Sequence, residues 1–499
     1  MRGAVFRLVF SAFLAFSPAA TAAATANEWT EATYAVTAPA PKGYDRPGSQ
    51  AAVLDELKQL ITLDTQNPPG NERLVADHLN SILRDLPGVE TRVIDLGKNR
   101  ANFVARLRAG NPQKRAVIVM AHMDVVGVDL SKWTTPPFAP TERDGYLYGR
   151  GSIDDKGMLA AAVVAFKQLA ARRETLTRDI ILLGTADEES GGSGIETMVQ
   201  HHKDLIGDAD FALNEGGRIR VSDGRIKTVN IQTTEKVYHE VRITARGPSG
   251  HGSVPLPENA LAALARAVAR VHDWKAPVRL NETTRTYFAR MAAIESDPAL
   301  AGAMRKVSAA GATGAEIDAA AAVLSQNPQY NAVLRSGHAL TMLNGGFRAN
   351  VIPSEGTATF NLRTMPGDDA NAIMAEMQRV AGEPSVTFEL TREARASPPP
   401  SPITSALFVA MEDAAKAMVP GVHSIPFMST GATDGAHLRA AGIATYGILP
   451  MPMPAGDELR MHGDDERVPV PALGWACEYI YRVLLEVGST ISGSGHATE

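Results

Sequence analysis

The chain has 499 residues, with 49 lysines and arginines against 55 aspartates and glutamates and a formal net charge of −6. This mild acidity argues against nucleic acid as a partner, because binding phosphates needs a basic surface. The length exceeds what one hydrophobic core supports and predicts two unequal domains, and the single Cys477 leaves no internal disulfide to stabilise them.

Residues 1–26 predict a secretory signal peptide. The segment carries two arginines and no acids, an apolar run from Ala4 to Phe16, and small residues that end in Ala-Thr-Ala. The apolar run is shorter than the roughly 20 residues that cross a membrane as a helix. We therefore expect cleavage near Ala22 or Ala26, a secreted or periplasmic protein, and no membrane attachment after cleavage.

The next part of the chain has the pattern of an α/β domain. Residues 27–49 are rich in Ala, Pro and Gly and suggest an arm or linker, and residues 51–61 have the apolar spacing of a helix. Beyond them, apolar strand-like runs alternate with helical segments. Buried strands are expected at Arg115–Ala121, Asp179–Thr185 and Ala209–Leu213, and a helix at Met158–Arg173. This alternation predicts a mostly parallel central sheet covered by helices.

Near Lys236 the sequence pattern changes to alternating apolar and polar residues, typical of strands, separated by Ala-rich helical segments. This change indicates an inserted α+β domain over residues 236–393. After a Pro-rich stretch, the alternation of strand and helix patterns that is typical of an α/β domain resumes. The elements expected in and after the insertion are strands at Val237–Ala245, Thr357–Arg363 and Ala444–Leu449 and a helix at Val470–Val487. The α/β domain is therefore predicted to be discontinuous, formed by residues 50–235 and 394–490.

A His-Met-Asp tripeptide, His122 to Asp124, directly follows the first predicted strand. Ligands collect at the carboxyl ends of strands in α/β sheets, and Asp124 could hold the second ring nitrogen of the histidine. On its own such a tripeptide is more often structural than functional.

Two acidic clusters follow. Asp154 and Asp155 lie in a glycine-rich turn before a predicted helix, where capping would require only one acid. Three acids at residues 187–189 follow the second strand, and a solvated loop is the alternative to a cation that holds them together. Neighbouring glutamates could divide two tasks, with one as a metal ligand and the other as a general base.

Asn214 and Glu215 are expected directly after the third strand, and His462 lies in a polar loop before the last helix. Each cluster alone is more often structural than functional. Together the side chains form a set of oxygen and nitrogen ligands without thiolate, which suits a hydrolytic zinc pair better than a structural zinc. The residues of this set are His122, Asp154, Glu189, Glu215 and His462.

The motifs H-x-D, G-R-G-x-x-D-D-K-G, D-E-E, N-E-G and H-G-x-x-E-R-V resemble, in order and approximate spacing, those of the co-catalytic zinc exopeptidases and aminoacylases. This family includes carboxypeptidase G, carboxypeptidase S, aminoacylase-1 and succinyl-diaminopimelate desuccinylase, and the match covers about residues 51–487. The resemblance implies that the discontinuous α/β domain is the catalytic domain and that the insertion is a lid or dimerisation domain. It also implies two Zn²⁺ ions, with Co²⁺ or Mn²⁺ as alternatives.

The resemblance further implies how the ligands are divided. Asp154 would bridge both metals, His122 and Glu215 would complete one site, and Glu189 and His462 would complete the other. Relatives often have an aspartate at the position of Asn214, but a neutral amide is the poorer zinc ligand beside a carboxylate, which favours Glu215.

Two catalytic roles also come from the resemblance. Glu188 would be the general base, and Asp124 would orient His122. In relatives the peptide bond after the bridging aspartate is cis, which makes a cis bond between Asp154 and Asp155 an expectation here.

The resemblance extends to substrate-binding residues. His251 lies in a glycine-rich loop that resembles the family's loop whose histidine reaches the scissile carbonyl of the substrate, in dimeric relatives from the neighbouring subunit. His251 would then stabilise the oxyanion. Asn350 and Arg363 correspond to lid residues that hold a substrate carboxylate, and a guanidinium suits that planar target. Thr433 and Asp434 lie in a loop that lines the substrate pocket.

The expected function is zinc-dependent cleavage of a peptide bond in small peptides with a free C-terminal carboxylate. Residues 297–343 make the lid longer than in minimal members and resemble the carboxypeptidase S-like branch, which keeps N-acyl amino acids open as alternative substrates. A deacylase is therefore the second hypothesis, and an inactive peptide-binding protein is the third. A homodimer through the lid is the expected partner.

Overall fold

The computed structural model describes residues 29–393 and 397–489, and the signal peptide predicted for residues 1–26 lies outside them. No helix in this described part of the chain is both long and apolar enough to span a membrane.

Nineteen strands are present in the described residues. They are β1 Gln66–Asn67, β2 Val89–Gly97, β3 Arg100–Leu107, β4 Ala116–His122, β5 Val125–Val126, β6 Thr141–Arg143, β7 Tyr146–Tyr148, β8 Ile180–Thr185, β9 Ala209–Ser222, β10 Arg225–Glu235, β11 Val237–Arg246, β12 Gly250–His251, β13 Gly337–Gly345, β14 Val351–Ile352, β15 Glu355–Thr364, β16 Val386–Leu390, β17 His423–Ser429, β18 Ala444–Pro454 and β19 Arg467–Pro469.

Fifteen α-helices connect and cover these strands in the same part of the chain. They are α1 Arg46–Thr62, α2 Arg73–Leu83, α3 Lys156–Ala170, α4 Ser193–His201, α5 Lys203–Ile206, α6 Ala260–Asp273, α7 Glu282–Met291, α8 Pro298–Ser308, α9 Gly314–Leu324, α10 Pro328–Leu334, α11 Ala370–Ala381, α12 Ala406–Met418, α13 Gly435–Ala440, α14 Ala455–Glu458 and α15 Val470–Gly488.

The discontinuous α/β domain, expected to be the catalytic domain, is built on an eight-stranded sheet with the order β17-β10-β18-β9-β4-β8-β3-β2. Strand β4 runs parallel to β8 and β9, and β9 runs parallel to β18, whereas β2 and β3 extend the edge in antiparallel fashion. Every residue of β4 and β8 is buried, which explains why both read as continuous apolar runs. The predicted mostly parallel central sheet is confirmed, and the antiparallel pairings of β2, β3 and β10 make it a mixed sheet.

Strand β9 corrects one prediction. It continues to Ser222, so Asn214 and Glu215 lie inside the strand instead of after it. Its pairing with β18 shifts register between Asn214 and Arg218, and Gly216 adopts a φ of 134°. Such a bulge re-aims side chains within a continuing strand, and an apolar-run criterion does not detect it.

Helices cover both faces of the sheet. Helices α1, α3, α12 and α15 pack together over one face, in a core that includes Leu57, Phe166 and Tyr479. Trp29, Tyr34 and Tyr44, from the segment predicted as an arm or linker, are buried in this same core. The opposite face carries a smaller core.

The inserted lid has its own antiparallel sheet, with the order β13-β15-β11-β16, and helices α6 and α11 pack on it. The chain passes directly from β10 of the catalytic sheet into β11 of the lid. Helices α7 to α10 form a further cluster in which Phe288 and Leu324 pack with Met428 of β17. This cluster therefore joins the long insertion to the catalytic domain.

Candidate active site and metal centre

The predicted metal ligands converge at the carboxyl end of the central sheet. His122 is the last residue of β4, Glu188 and Glu189 follow β8, and Glu215 lies at the bulge of β9. Parallel strands bring these ends to one edge, which is where ligands bind in open α/β sheets.

Asp154 lies between two histidines. Its Oδ1 is 2.8 Å from Nε2 of His122, and its Oδ2 is 3.0 Å from Nε2 of His462. Oε1 of Glu189 is 3.1 Å from the same His462 nitrogen. Because the two oxygens of one carboxylate face two different imidazoles, Asp154 has the arrangement that a bridging ligand needs. The peptide bond from Asp154 to Asp155 is cis, as expected.

The donor set fits divalent cations. One ligand atom from each of His122, Asp154 and Glu189 lies within 4.8 Å of the others. Oε1 of Glu189 is buried and has no hydrogen bond of good geometry in the described part of the chain, despite the nearby His462 nitrogen. Carboxylate and imidazole donors without thiolate are typical of hydrolytic metal sites.

The charges of the site are unbalanced without a cation. Burial, with the neighbouring Asp154 charge, raises the pKa of Glu215 to about 8. A hydrogen bond to Asp154 and the adjacent Glu189 carboxylate raise the pKa of His462 to about 10. Burial also raises the pKa of Glu188 well above its ordinary value. These shifts reflect negative charge concentrated in a space with little water, which a bound cation would neutralise.

Asp124 contacts both His122 and the acidic loop after β8. Nδ1 of His122 lies 3.0 Å from the backbone oxygen of Asp124 and 3.5 Å from its carboxylate Oδ1. The carboxylate also accepts hydrogen bonds from the backbone N–H groups of Glu188, at 3.2 Å, and Glu189, at 3.1 Å. Asp124 therefore ties the acidic loop to the histidine strand.

Glu466 is a residue of the site that the sequence analysis did not single out. Its carboxylate is fully buried and accepts hydrogen bonds from the backbone N–H groups of Gly151, Ile153 and Asp154, and it pairs with Arg150 at 2.6 Å. It thereby holds the turn that presents Asp154. The signal was its place in the H-G-x-x-E-R-V motif, from which only the histidine was used.

A cleft of about 620 Å³ opens over these residues between the two domains. Thr433 and Asp434 line it, and the backbone N–H and the hydroxyl of Thr433 donate to the Glu235 carboxylate at 2.9 and 2.8 Å. Asp434 is buried, and desolvation raises its pKa to about 7. The loop is therefore fixed from the end of β10.

Arg363 enters the cleft from the lid. Its guanidinium carbon lies 4.8 Å from the ring centroid of Tyr238, and its Nε donates to Oδ1 of Asn361 at 3.0 Å. It forms no ion pair with any residue the structure describes, and its half-burial lowers its pKa. The remaining guanidinium donors are available to an anion.

His251 and Asn350 lie elsewhere. They are neighbours on the lid, where His251 in β12 pairs with Val351 in β14 and the N–H of Gly252 donates to the Asn350 oxygen at 2.8 Å. Both residues are exposed and are not among the described residues that line the cleft. The structure therefore brings together all five predicted ligands and Glu188, but does not bring these two lid residues to them within one chain.

Comparison with known proteins gives consistent results. The sequence model of peptidase family M20/M25/M40 matches residues 118–486. The chain is 30% identical over 391 residues to "Probable carboxypeptidase S-like 2" of Dictyostelium discoideum, which covers 74% of this chain and 71% of the relative. It is 26% identical to the human N-fatty-acyl-amino acid synthase/hydrolase PM20D1, over 76% of this chain and 75% of the relative.

The fold is also shared with a solved structure, the M20 family metallo-carboxypeptidase Sso-CP2 from Sulfolobus solfataricus. The TM-score is 0.64 at 20% sequence identity, and the alignment covers 87% of this chain and 98% of the other. The resemblance inferred from the five motifs is thus confirmed. The chain belongs to peptidase family M20/M25/M40 and is a metal-dependent peptidase or amidohydrolase.

Proposed function

We propose that the chain is a zinc-dependent exopeptidase that cleaves small peptides with a free C-terminal carboxylate. The observation that carries this proposal is one cleft that combines the His122, Asp154 and Glu189 cluster with the guanidinium of Arg363, which forms no ion pair with a described residue. A fixed cation beside a hydrolytic centre selects substrates with an anion at a set distance from the scissile bond.

Two zinc ions would be held as the resemblance implies, by Asp154 between them, by His122 and Glu215 on one side, and by Glu189 and His462 on the other. Bound there, they would polarise the scissile carbonyl and lower the pKa of water.

Glu188 is the proposed general base. It lines the cleft, is half-buried beside Glu189, Glu215 and Asp434, and its backbone is fixed by the Asp124 carboxylate. As a carboxylate it would take a proton from the attacking water and then return it to the leaving nitrogen. The role of Arg363 is to orient the substrate through its carboxylate.

Substitution of Glu188 tests the base. E188Q and E188A should bind metal like the wild type and lose about 10²–10⁴-fold in kcat. Metal content and steady-state rates on a dipeptide measure the two properties separately. Turnover like that of the wild type in either variant would contradict the assignment.

Substitution of Arg363 tests the carboxylate site. R363A should raise KM for a free dipeptide by at least about tenfold, and R363K should recover only part of the loss because an ammonium lacks the two-pronged geometry. The C-terminally amidated dipeptide should be a poor substrate for the wild type and no poorer for R363A. Equal loss on both substrates would contradict this role.

N-acyl amino acid hydrolysis is the second proposed function, and the similarity to the human N-fatty-acyl-amino acid synthase/hydrolase supports it. The cleft argues for short substrates, since Ala432 and Met461 are the only aliphatic side chains among the described residues that line it. A long acyl chain would gain little of the roughly 0.8 kcal/mol per methylene that an apolar wall supplies.

A panel of dipeptides, N-acetyl amino acids and N-oleoyl amino acids separates the two functions, with liberated amino acid as the readout. We expect the dipeptides to be the best substrates. Activity confined to acylated amino acids would reverse the order. An inactive peptide-binding protein is the third alternative, and failure to bind a divalent ion on addition would favour it.

We also propose a homodimer through the lid. Strand β13 is an edge strand whose Met342 and Leu343 are 56% and 59% exposed, and Phe347 and Val254 nearby are 76% and 60% exposed. Exposed apolar groups on an unpaired edge favour pairing with a second chain. In such a dimer His251 would reach the partner's cleft.

Subunit mixing tests this arrangement. Equal amounts of E188A and H251A, each inactive alone, should after exchange recover about a quarter of the wild-type activity, because half the dimers then hold one complete site. If no activity is recovered although light scattering shows dimers, His251 does not act across the interface.

Export of the chain, proposed from residues 1–26, is tested by the N-terminal sequence of the secreted protein.

A further inference from the structure

Asn67 is a buried asparagine that none of the preceding motifs includes. It ends the short strand β1, which pairs in parallel with β5 so that Asn67 lies opposite Val126. Its side chain is 5% exposed. A buried amide needs partners for both its donors and its acceptor, and these partners define what it does.

Both donors of Asn67 point at carboxylates. Its Nδ2 lies 2.7 Å from Oδ2 of Asp124 and 3.0 Å from Oδ1 of Asp187. Its Oδ1 accepts a hydrogen bond of 2.6 Å from Arg100, which also pairs with Asp187 at 2.6 Å. The amide is thus a neutral bridge between two acids that would otherwise repel each other.

These two acids hold the loop that carries the proposed base. The Asp124 carboxylate accepts the N–H groups of Glu188 and Glu189. Asp187 directly precedes them with a φ of 66°, and its Oδ2 accepts a 2.6 Å hydrogen bond from the Ser193 hydroxyl. The backbone of Asp187 is therefore in the left-handed region, and both its carboxylate oxygens are hydrogen-bonded. This conformation fixes the direction in which Glu188 and Glu189 leave strand β8.

We propose that Asn67 is a positioning residue that fixes Glu188 and Glu189 against His122, acting through Asp124 and Asp187. This inference rests on the proposed function of those glutamates. A neutral side chain of this length is required at the position. An aspartate would add a third negative charge within about 3 Å of the other two, and alanine would remove both donors.

Asn102 provides a matched control. It is also a fully buried asparagine that contacts the same loop, but its Nδ2 donates to the backbone oxygen of Gly194 and its Oδ1 accepts from the N–H of Ala186. It touches no carboxylate of the site. Substitution of Asn102 therefore measures how far a loss of loop stability, without loss of a contact to Asp124 or Asp187, changes zinc affinity.

The experiment compares N67A, N67D and N102A in the full-length protein, with zinc affinity measured by competition against a chelator in the absence of substrate. N67A should weaken zinc binding by about tenfold or more, the range found for groups that orient metal ligands. N67D should weaken it further while preserving side-chain size. N102A should lower the melting temperature but keep zinc affinity within about twofold of the wild type.

Rates on a dipeptide complete the test. N67A and N67D should lower kcat at least about tenfold and change KM by less than about twofold. The reason is that Asn67 is proposed to position Glu188, the base, and does not contact Arg363, which binds the substrate carboxylate. In a D124A background, N67A should weaken zinc binding by less than it does in the wild type, because the hydrogen bond between Asn67 and Asp124 is already absent.

Unchanged zinc affinity in N67A and N67D, or equal weakening in N102A, would overturn the proposal. A wild type that binds zinc but hydrolyses no peptide would refute the proposed function alone, because the ranking of zinc affinities would still decide the role of Asn67.

Discussion

Replacing Glu466 by alanine should destabilise the catalytic domain by about 3–5 kcal/mol, although Glu466 is neither a proposed ligand nor the base. Its carboxylate is fully buried and joins the last loop of the chain to the turn before α3, more than 300 residues earlier. The effect would be large because one side chain satisfies several groups that have no access to water.

The magnitude follows from those groups. Arg150 is 2% exposed and lies 2.6 Å from the Glu466 carboxylate, so removal of the acid leaves a buried positive charge, which costs about 3–5 kcal/mol. The N–H groups of Gly151, Ile153 and Asp154, at 3.1, 2.7 and 3.1 Å, also lose their acceptor. Each buried unpaired donor costs about 1–3 kcal/mol, and water entering the space of the lost side chain would return part of that cost.

Urea unfolding followed by tryptophan fluorescence measures the loss. E355A is the matched control, since Glu355 pairs with Arg246 at 3.0 Å but the two side chains are 49% and 67% exposed, which predicts less than about 1 kcal/mol. E466Q should fall between the two, because it keeps one acceptor oxygen and loses the charge. If E466A costs no more than E355A, the inference that buried hydrogen bonds hold this turn is refuted.

Three further predictions concern the Cys477 thiol, Lys236 between β10 and β11, and the metals. Burial raises the pKa of the Cys477 thiol to about 12, so it should not react with a disulfide reagent at pH 8 until the protein is unfolded, and rapid reaction of the native protein would contradict the packing. Burial lowers the pKa of Lys236 to about 8, so the folded state binds fewer protons than the unfolded chain between about pH 8 and 10.5. The free energy of unfolding of the wild type relative to K236M should therefore rise by roughly 3 kcal/mol over that interval, and a flat difference would show that the ammonium is solvated. Chelation should lower the melting temperature, because Asp154, Glu189 and Glu215 then repel one another, and added zinc should restore it; no change on chelation would count against a metal contribution to stability.

Much of the site was predictable from short stretches of sequence. Strands β4 and β8 are buried on both faces and so read as unbroken apolar runs. The polar residues at or just beyond their carboxyl ends, His122 and Glu188, necessarily reach the same edge of a parallel sheet. The order of the motifs was then enough for the family resemblance. The helices α3 and α15 were likewise visible, because periodicity is a local property.

Other features were decided only by tertiary structure. The bulge that puts Glu215 inside β9 depends on pairing with β18, more than 200 residues later. Whether His251 lies at the cleft depends on how the lid is placed, which no local pattern encodes. Apolar periodicity reports which face of an element is buried, but it does not say which polar group satisfies another.

The contacts of Asn67 and Glu466 show the same division. Asn67 meets Asp124 across 57 positions, and Glu466 meets the N–H of Asp154 across 312. The sequence alone determined the family, the central sheet and the metal-binding residue types at its carboxyl edge, because those follow from burial and from the local order of residues. Which buried amide or acid holds the catalytic loops was decided by folding, since a hydrogen bond between distant residues exists only when the chain has brought both groups out of water together.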